Sequence, residues 1–205
     1  MPEFFFWGAV MLLFAAALML LLSNNWRRTL AYLGFLYLGV FGLTLTHWTL
    51  SMAAVKLVTG WMAATILGIT RSALDPQLAS TQESSSLPEG SLFRIFAAAV
   101  LTLVVISAIP SVMALLPGIG APEVAGSQLL IMMGLLHLGL STEPERVVIG
   151  LLTFLAGFEI LYASVETSTL VAALLALIDL GLALVGAYLL TAAQQEEEKE
   201  EPGLL

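Results

Sequence analysis

The 205-residue chain lacks cysteine, has only two histidines, and carries seven lysine and arginine residues against fifteen aspartate and glutamate residues. The absence of cysteine excludes disulfides, thiolate catalysis, and zinc or iron–sulfur ligation by thiolates of this chain. Because His47 and His137 lie in separate segments, neither a bis-histidine haem site nor a histidine-rich metal site is predicted. The net charge of −8 argues against binding to nucleic acid, whose phosphate backbone selects basic surfaces.

Motifs that would mark an enzyme active site are also missing. The sequence contains no glycine-rich phosphate loop, no HExxH zinc motif and no nucleophile elbow. We therefore expect a non-catalytic chain with no cofactor and no metal site of its own. This expectation leaves open whether the chain is a subunit of a larger oxidoreductase.

Apolar residues are what the sequence has in abundance. They make up 59% of the chain, charged residues make up 11%, and the mean hydropathy is +0.97. Since about 20 apolar residues suffice to cross a bilayer as a helix, this pattern predicts an all-α integral membrane protein with about seven transmembrane helices. The predicted spans are residues 4–23, 29–46, 49–70, 95–116, 124–141, 147–165 and 168–191.

Basic residues predict the orientation of these spans. Six of the seven would fall on one side of a seven-span protein, and the positive-inside rule makes that side cytoplasmic. The N-terminus is then expected outside and the C-terminus inside, in the inner (plasma) membrane of a cell. The first apolar run has neither a preceding basic residue nor a clear cleavage site, so it is predicted to be retained. The six residues are Arg27, Arg28, Arg71, Arg94, Arg146 and Lys199.

Polar segments divide the chain into blocks. Residues 1–70 form a predicted three-helix block, and residues 95–193 a four-helix block. Between them, residues 71–94 are rich in Ser, Gln, Pro and acidic side chains, which is typical of a flexible linker, here expected in the cytoplasm. The acidic tail, residues 194–205, is predicted to be a solvated, frayed end.

Lys56, Glu159 and Asp179 each lie inside a predicted span. A charge at the centre of a membrane helix costs roughly 2.5 to 3.5 kcal/mol on insertion scales, so an intramembrane ionisable residue is a functional candidate. We expect all three near mid-depth, where their charges do not reach the membrane surface. They are the primary candidates for a proton relay or for its coupling to another reaction.

Small residues recur at steps of three and four around each of these three side chains, as on the packed face of a helix. The three charged residues are therefore predicted to face one protein interior or a partner subunit. A structural ion pair between Lys56 and one carboxylate is the alternative interpretation, although two acids for one base would leave one acid over. The stripes comprise Thr49, Ala53, Gly60 and Ala63; Gly150, Thr153, Ala156, Ala163 and Glu166; and Thr169, Ala172, Ala176, Ala183 and Gly186.

Two weaker candidates are His137 and Glu166. His137, in the predicted fifth helix, has the side chain needed to join a proton relay, but a single histidine in a bundle is more often hydrogen-bonded to a neighbour. Glu166 lies at the outer end of the sixth predicted span, where simple solvation explains its charge.

The stretch Gly157–Ser164, GFEILYAS, followed by the helix LLALIDLGLALVGAYLL at Leu174–Leu190, resembles the last two helices of the small K subunit of bacterial complex I. Residues of about 124–191 would match its three-helix unit. Nearly the whole chain resembles the E component of hydrogenase-4 and formate-hydrogenlyase type complexes, which has a lysine in a segment similar to Leu50–Ser72. The three-helix unit is also similar to the C subunit of multisubunit cation/proton antiporters.

The resemblance implies that Glu159 and Asp179 match the family's acids in the last two helices, and Lys56 its lysine in the third. In those complexes such residues belong to a hydrophilic axis through the membrane arm. This sequence departs from the small-subunit pattern in two ways: Asp179 stands where glutamate is usual, and Arg146 lies farther from Glu159 than the corresponding basic residue.

The first functional hypothesis is a membrane-arm subunit of a complex I or hydrogenase-related assembly that contributes buried charges to proton translocation. Its expected partners are antiporter-like and other membrane-arm subunits, lipids, and iron–sulfur or hydrogenase-like subunits. The runner-up is a subunit of a cation/proton antiporter without redox centres. A stand-alone secondary transporter or a structural scaffold belongs to another class, and no inverted repeat or pair of broken helices favours a transporter.

Overall fold

Seven helices make up the computed structural model, which describes residues 3–74, 90–116 and 118–200. No strand occurs within these ranges, so the all-α fold predicted from the sequence is confirmed. The helices are α1 (Glu3–Leu22), α2 (Trp26–Thr44), α3 (Leu50–Leu74), α4 (Ser91–Leu115), α5 (Ala121–Leu140), α6 (Pro144–Val165) and α7 (Thr169–Glu200).

Six of the seven helices are long and apolar enough to cross a membrane. The exception is α2, which carries Arg27 and Arg28 in its first turn and is 19 residues long, a length of about 28 Å. It packs between α1 and α3 in the bundle. The chain is thus a multi-pass membrane protein, and the crossing of α2 as the seventh span stays a prediction.

Four helices, α2, α4, α5 and α6, begin three or four residues earlier than their apolar runs predicted, because capping and first-turn residues precede the apolar core of each helix. Asn25 caps α2 by accepting a hydrogen bond from the Arg27 backbone N–H at 3.0 Å. Pro122 and Pro144 lie in the first turns of α5 and α6, where proline sacrifices no helical hydrogen bond.

Both polar segments are partly helical. Helix α3 continues to Leu74 and α4 begins at Ser91, so the two ends of the predicted linker belong to helices, while residues 75–89 lie outside the described residues. Helix α7 likewise continues through residues 194–200, where glutamine, glutamate and lysine are good helix formers. The prediction of a frayed tail from residue 194 was therefore wrong for its first seven residues. Residues 201–205 fall outside the described part.

Specific contacts define the two ends of the bundle. At one, the arginine end, Arg94 donates to the Leu21 backbone oxygen at 3.0 Å, and Arg146 donates to Asn24 Oδ1 at 3.2 Å. At the other, the tryptophan end, the Trp48 indole donates to the Glu166 backbone oxygen at 3.0 Å. Arginines from α4 and α6 thus meet the α1–α2 connection at a single end, as the predicted orientation requires. Which side of a membrane that end faces stays a prediction.

Four helices, α2, α3, α7 and α6, form a ring. Each packs against the next in that order and α6 closes on α2, whereas the diagonal pairs α2/α7 and α3/α6 make little or no backbone contact. Helix α5 joins the ring through α6 and α1 through α2, while α4 packs on α5 and α1 at the periphery. One apolar core includes residues from all seven helices, so the predicted three-helix and four-helix blocks share it.

Candidate functional site

The axis of the four-helix ring carries a cluster of charged side chains. Lys56 of α3 contacts two carboxylates with its Nζ, Glu159 Oε2 of α6 and Asp179 Oδ2 of α7. Lys56 is 2% exposed and both acids are 0% exposed. The three residues, here called the charged centre, were predicted from the sequence to face one interior, and the structure brings them together.

Small residues on the ring helices let these side chains meet. Along α3, Ala53 and Ala63 are fully buried on either side of Lys56, and Ala163 follows Glu159 by one turn of α6. Long charged side chains therefore reach the axis without being blocked by bulky neighbours on their own helices. The stripes of small residues seen in the sequence have this packing as their physical cause.

The charged centre contains one basic and two acidic side chains. Glu159 Oε1 and Asp179 Oδ1 are buried and have no hydrogen-bond partner among the described residues. With all three groups ionised the centre has a charge of −1, and burying an uncompensated charge is costly. A single additional positive charge would neutralise it, and a proton on either carboxylate is the smallest such charge.

Sequence reasoning missed Tyr37 of α2, which is fully buried beside the charged centre. Its hydroxyl donates to Asp179 Oδ2 at 3.5 Å, and Lys56 Nζ lies 5.6 Å from the centroid of its ring. A cation at this distance from an aromatic face is attracted by the ring. All four ring helices therefore contribute one polar side chain at the same level.

Gly60 makes room for Tyr37. It lies one turn after Lys56 on α3, and a Cβ at this position would overlap the Tyr37 ring. The signal in the sequence was a glycine four residues after a buried lysine, but nothing in the sequence alone pairs that glycine with a tyrosine of another helix.

The charged centre lies closer to the tryptophan end than to the arginine end. Asp179 is near the middle of its apolar helix segment, as predicted, but Lys56 is six residues from the start of α3 and eighteen from its end. Helix α3 continues four residues past the apolar run used to place its end, which moves Lys56 away from the centre of its helix, while its depth in the membrane stays a prediction.

His137 does not join the charged centre. Helix α6 packs Gly150 against Leu138, so His137 lies near the level of Gly150, nine residues and about 13 Å along the helix from Glu159. The imidazole is buried, and its Nε2 has no hydrogen-bond partner in the part of the chain that the structure describes. A direct proton transfer between His137 and Glu159 has no geometric support.

Glu166 is also separate from the charged centre and has a structural explanation. It follows the last residue of α6, and its Oε1 accepts a hydrogen bond from the Ser168 backbone N–H at 2.9 Å just before α7 begins. Its backbone oxygen accepts from Trp48. The residue thus holds the α6–α7 connection at the tryptophan end.

A second ion pair crosses the ring at the arginine end. Arg71 Nε of α3 lies 3.7 Å from Glu145 Oε2 of α6, and Glu145 is buried. Sequence reasoning used Arg71 for orientation only and did not consider Glu145, which precedes the apolar part of its helix. Helices α3 and α6 are thus connected by oppositely charged side chains at two levels.

The described residues contain no group of three or more His, Asp or Glu side chains arranged to hold a metal ion. No protein-family model matches the chain, nor does any curated protein or solved structure. Fold and site together define the class, an all-α multi-pass membrane protein with a buried cluster of one lysine, two acids and a tyrosine.

Proposed function

We propose that this chain is a non-catalytic membrane-arm subunit of a multisubunit assembly related to complex I and membrane-bound hydrogenases, and that its charged centre takes part in proton translocation. The observation that carries the proposal is the burial of Lys56 between Glu159 and Asp179. A group with more acids than bases, away from bulk water, gains or loses protons as its pairing changes.

The mechanism follows from competition for one lysine. While the ammonium of Lys56 pairs with Asp179, a proton neutralises Glu159, and when Lys56 turns toward Glu159 the proton is more stable on Asp179. Tyr37 donates only to Asp179, so the two acids are not equivalent. The protein thus has two arrangements of one proton, which a conformational change in a neighbouring subunit is able to bias.

The resemblance of Gly157–Ser164 and Leu174–Leu190 to complex I-type small subunits supports an assembly with redox-driven partners. The same resemblance, through the antiporter C subunit, supports an assembly without redox centres. A stand-alone transporter or a scaffold uses the same fold without partners of either kind. Co-purification separates these possibilities because each predicts a different set of companion chains.

Purification of the tagged protein in mild detergent should recover antiporter-like membrane subunits together with iron–sulfur or hydrogenase-like chains, identified by mass spectrometry. The same purification from cells that express the tag alone is the control. Antiporter-like chains without redox subunits would favour a cation/proton exchanger. Recovery of a single chain with intact fold would contradict the subunit proposal.

Glu159→Gln should lower the number of protons moved per turnover of the intact complex, because a neutral amide fills the site but does not exchange a proton. The matched control is Glu143→Gln, which removes a carboxylate that is 70% exposed, immediately precedes α6 and pairs with Arg146 in its first turn. Proton movement is measured as acidification per substrate consumed in sealed vesicles. An unchanged ratio in a fully assembled Glu159→Gln complex would remove Glu159 from the mechanism.

A further inference from the structure

The two paths from the charged centre to the ends of the ring differ in length. Lys56 lies six residues from the start of α3, and Glu159 lies six residues from the end of α6, which is about 9 Å in each case. In the other direction, Lys56 is fifteen residues from Arg71, or about 22 Å. The charged centre is therefore closer to the tryptophan end than to the arginine end along α3 and α6, while on α7 Asp179 lies ten residues, about 15 Å, from the helix start.

A thin group of side chains separates the charged centre from the tryptophan end. This group, here called the tryptophan plug, is a small buried cluster apart from the main core and consists of Trp48, Met52, Ala163 and Ala172. Met52 lies one turn before Lys56, and Ala163 lies one turn after Glu159. The tryptophan plug thus lies one turn from the charged centre on α3 and α6 and two turns from it on α7, where Leu175 and Ala176 are also buried.

The large side chains of the tryptophan plug all come from one side of it. Its two large members come from the α2–α3 connection and the first turn of α3, whereas α6 and α7 contribute only alanines. Its large members are held by packing and by one hydrogen bond, from the Trp48 indole to the Glu166 backbone oxygen. Rotation of Trp48 and Met52 would uncover the charged centre while the helices keep their positions.

The path toward the arginine end is closed by a thicker apolar layer. Leu67 of α3 and Val148 of α6 meet at Gly186 of α7, where a Cβ would lie 3.0 Å from both side chains. Opening this layer requires the helices to separate, because the contacts are made at closely packed backbone positions. The members of the layer are Ala63, Leu67, Val148, Leu152 and Ala183, each 3% exposed or less.

We infer that the charged centre exchanges protons with water at the tryptophan end, through the tryptophan plug, and that the apolar layer seals it from the arginine end. The inference rests on the proposed function for what is exchanged. The side from which water reaches the ring is measured without any turnover of the assembly. The inference and the proposed function are therefore tested by different measurements.

The absence of cysteine makes the test direct, since an introduced thiol is the only one in this chain. Ala172→Cys places a thiol in the tryptophan plug, and Ala183→Cys places one in the apolar layer of the same helix. Thr167 is exposed at the tryptophan end and Thr142 at the arginine end. Thr167→Cys and Thr142→Cys are therefore the controls that show from which side the reagent reaches each end. A permanently charged, membrane-impermeant methanethiosulfonate reagent is added to either side of sealed vesicles that contain the native assembly.

We expect Ala172→Cys to react from the side that labels Thr167→Cys, and Ala183→Cys to react from neither side. Adding Trp48→Ala should speed the reaction of Ala172→Cys about tenfold or more, because the largest side chain of the plug is gone. Ala163→Cys replaces Ala172→Cys if the latter does not assemble. Reaction of Ala183→Cys from the Thr142→Cys side would overturn the inference, and so would failure of both plug thiols to react in the Trp48→Ala background.

Discussion

Lys56→Met should destabilise the protein by about 3 to 5 kcal/mol, the cost of leaving buried acids without their partner. Lys56 is the one basic group in contact with Glu159 and Asp179 among the described residues, and both carboxylates have zero exposure. Methionine keeps the length of the side chain and removes only the charge. The effect is measured as the loss of folded subunit during heating in detergent and as the amount retained in the assembly.

Two controls separate the loss of charge from the loss of packing. Arg28→Met removes an exposed basic residue and should leave the thermal stability unchanged. The triple variant Lys56→Met, Glu159→Gln, Asp179→Asn removes the whole charge cluster and should recover most of the stability without recovering proton translocation, because an uncharged, similarly sized group fills the ring. Native stability of the single Lys56→Met variant would show that the carboxylates do not need this ammonium.

Gly60→Ala should have the second largest effect, a loss of about 1 to 3 kcal/mol typical of overpacking, together with loss of the Tyr37–Asp179 contact. An alanine Cβ would occupy the space of the Tyr37 ring, and both backbones at this point are fixed by helix packing. Thermal stability and proton translocation are measured in parallel. We expect both to fall, since the ring is forced away from the charged centre.

Gly181→Ala is the matched control, because it adds the same methyl group to α7 two residues after Asp179, where nothing lies within 4 Å. It should be neutral or stabilising by about 0.5 to 1 kcal/mol, as expected for removing glycine from a helix interior. Combining Gly60→Ala with Tyr37→Leu should restore stability, because the smaller side chain makes room for the methyl group. A fully stable Gly60→Ala protein would contradict the close approach of α3 to the Tyr37 ring.

Hydropathy and helical periodicity were sufficient to predict the fold and most of the site residues. Seven apolar runs gave seven helices, and small residues at steps of three and four indicated that Lys56, Glu159 and Asp179 share one interior. These patterns are strong because a helix in lipid needs a long apolar run, and because close packing of helices around buried charged side chains needs small residues on the packed face. Helix starts were less well predicted, since caps such as Asn25 are polar and precede the apolar run.

Other parts of the site depend on information that no local pattern contains. Periodicity gives the face of a helix on which a residue lies but not its height against another helix, so the distance of His137 from Glu159 was not predictable. Tyr37 was missed for a related reason, as a tyrosine in an apolar helix is compatible with packing, with an interfacial position or with a buried hydrogen bond. Only the pairing of α2 with Gly60 of α3 decides among them.

The ring of α2, α3, α7 and α6 has a mechanical consequence. Helices α3 and α6 face each other across a diagonal with little backbone contact, yet the Lys56–Glu159 and Arg71–Glu145 pairs connect them at two heights. The two ion pairs therefore hold α3 and α6 together by electrostatic attraction, and protonation of a carboxylate weakens the pair to which it belongs. A proton on Glu159 would weaken its pair with Lys56 and leave the Arg71–Glu145 pair intact, so the contacts between α3 and α6 at the two heights respond differently to one protonation.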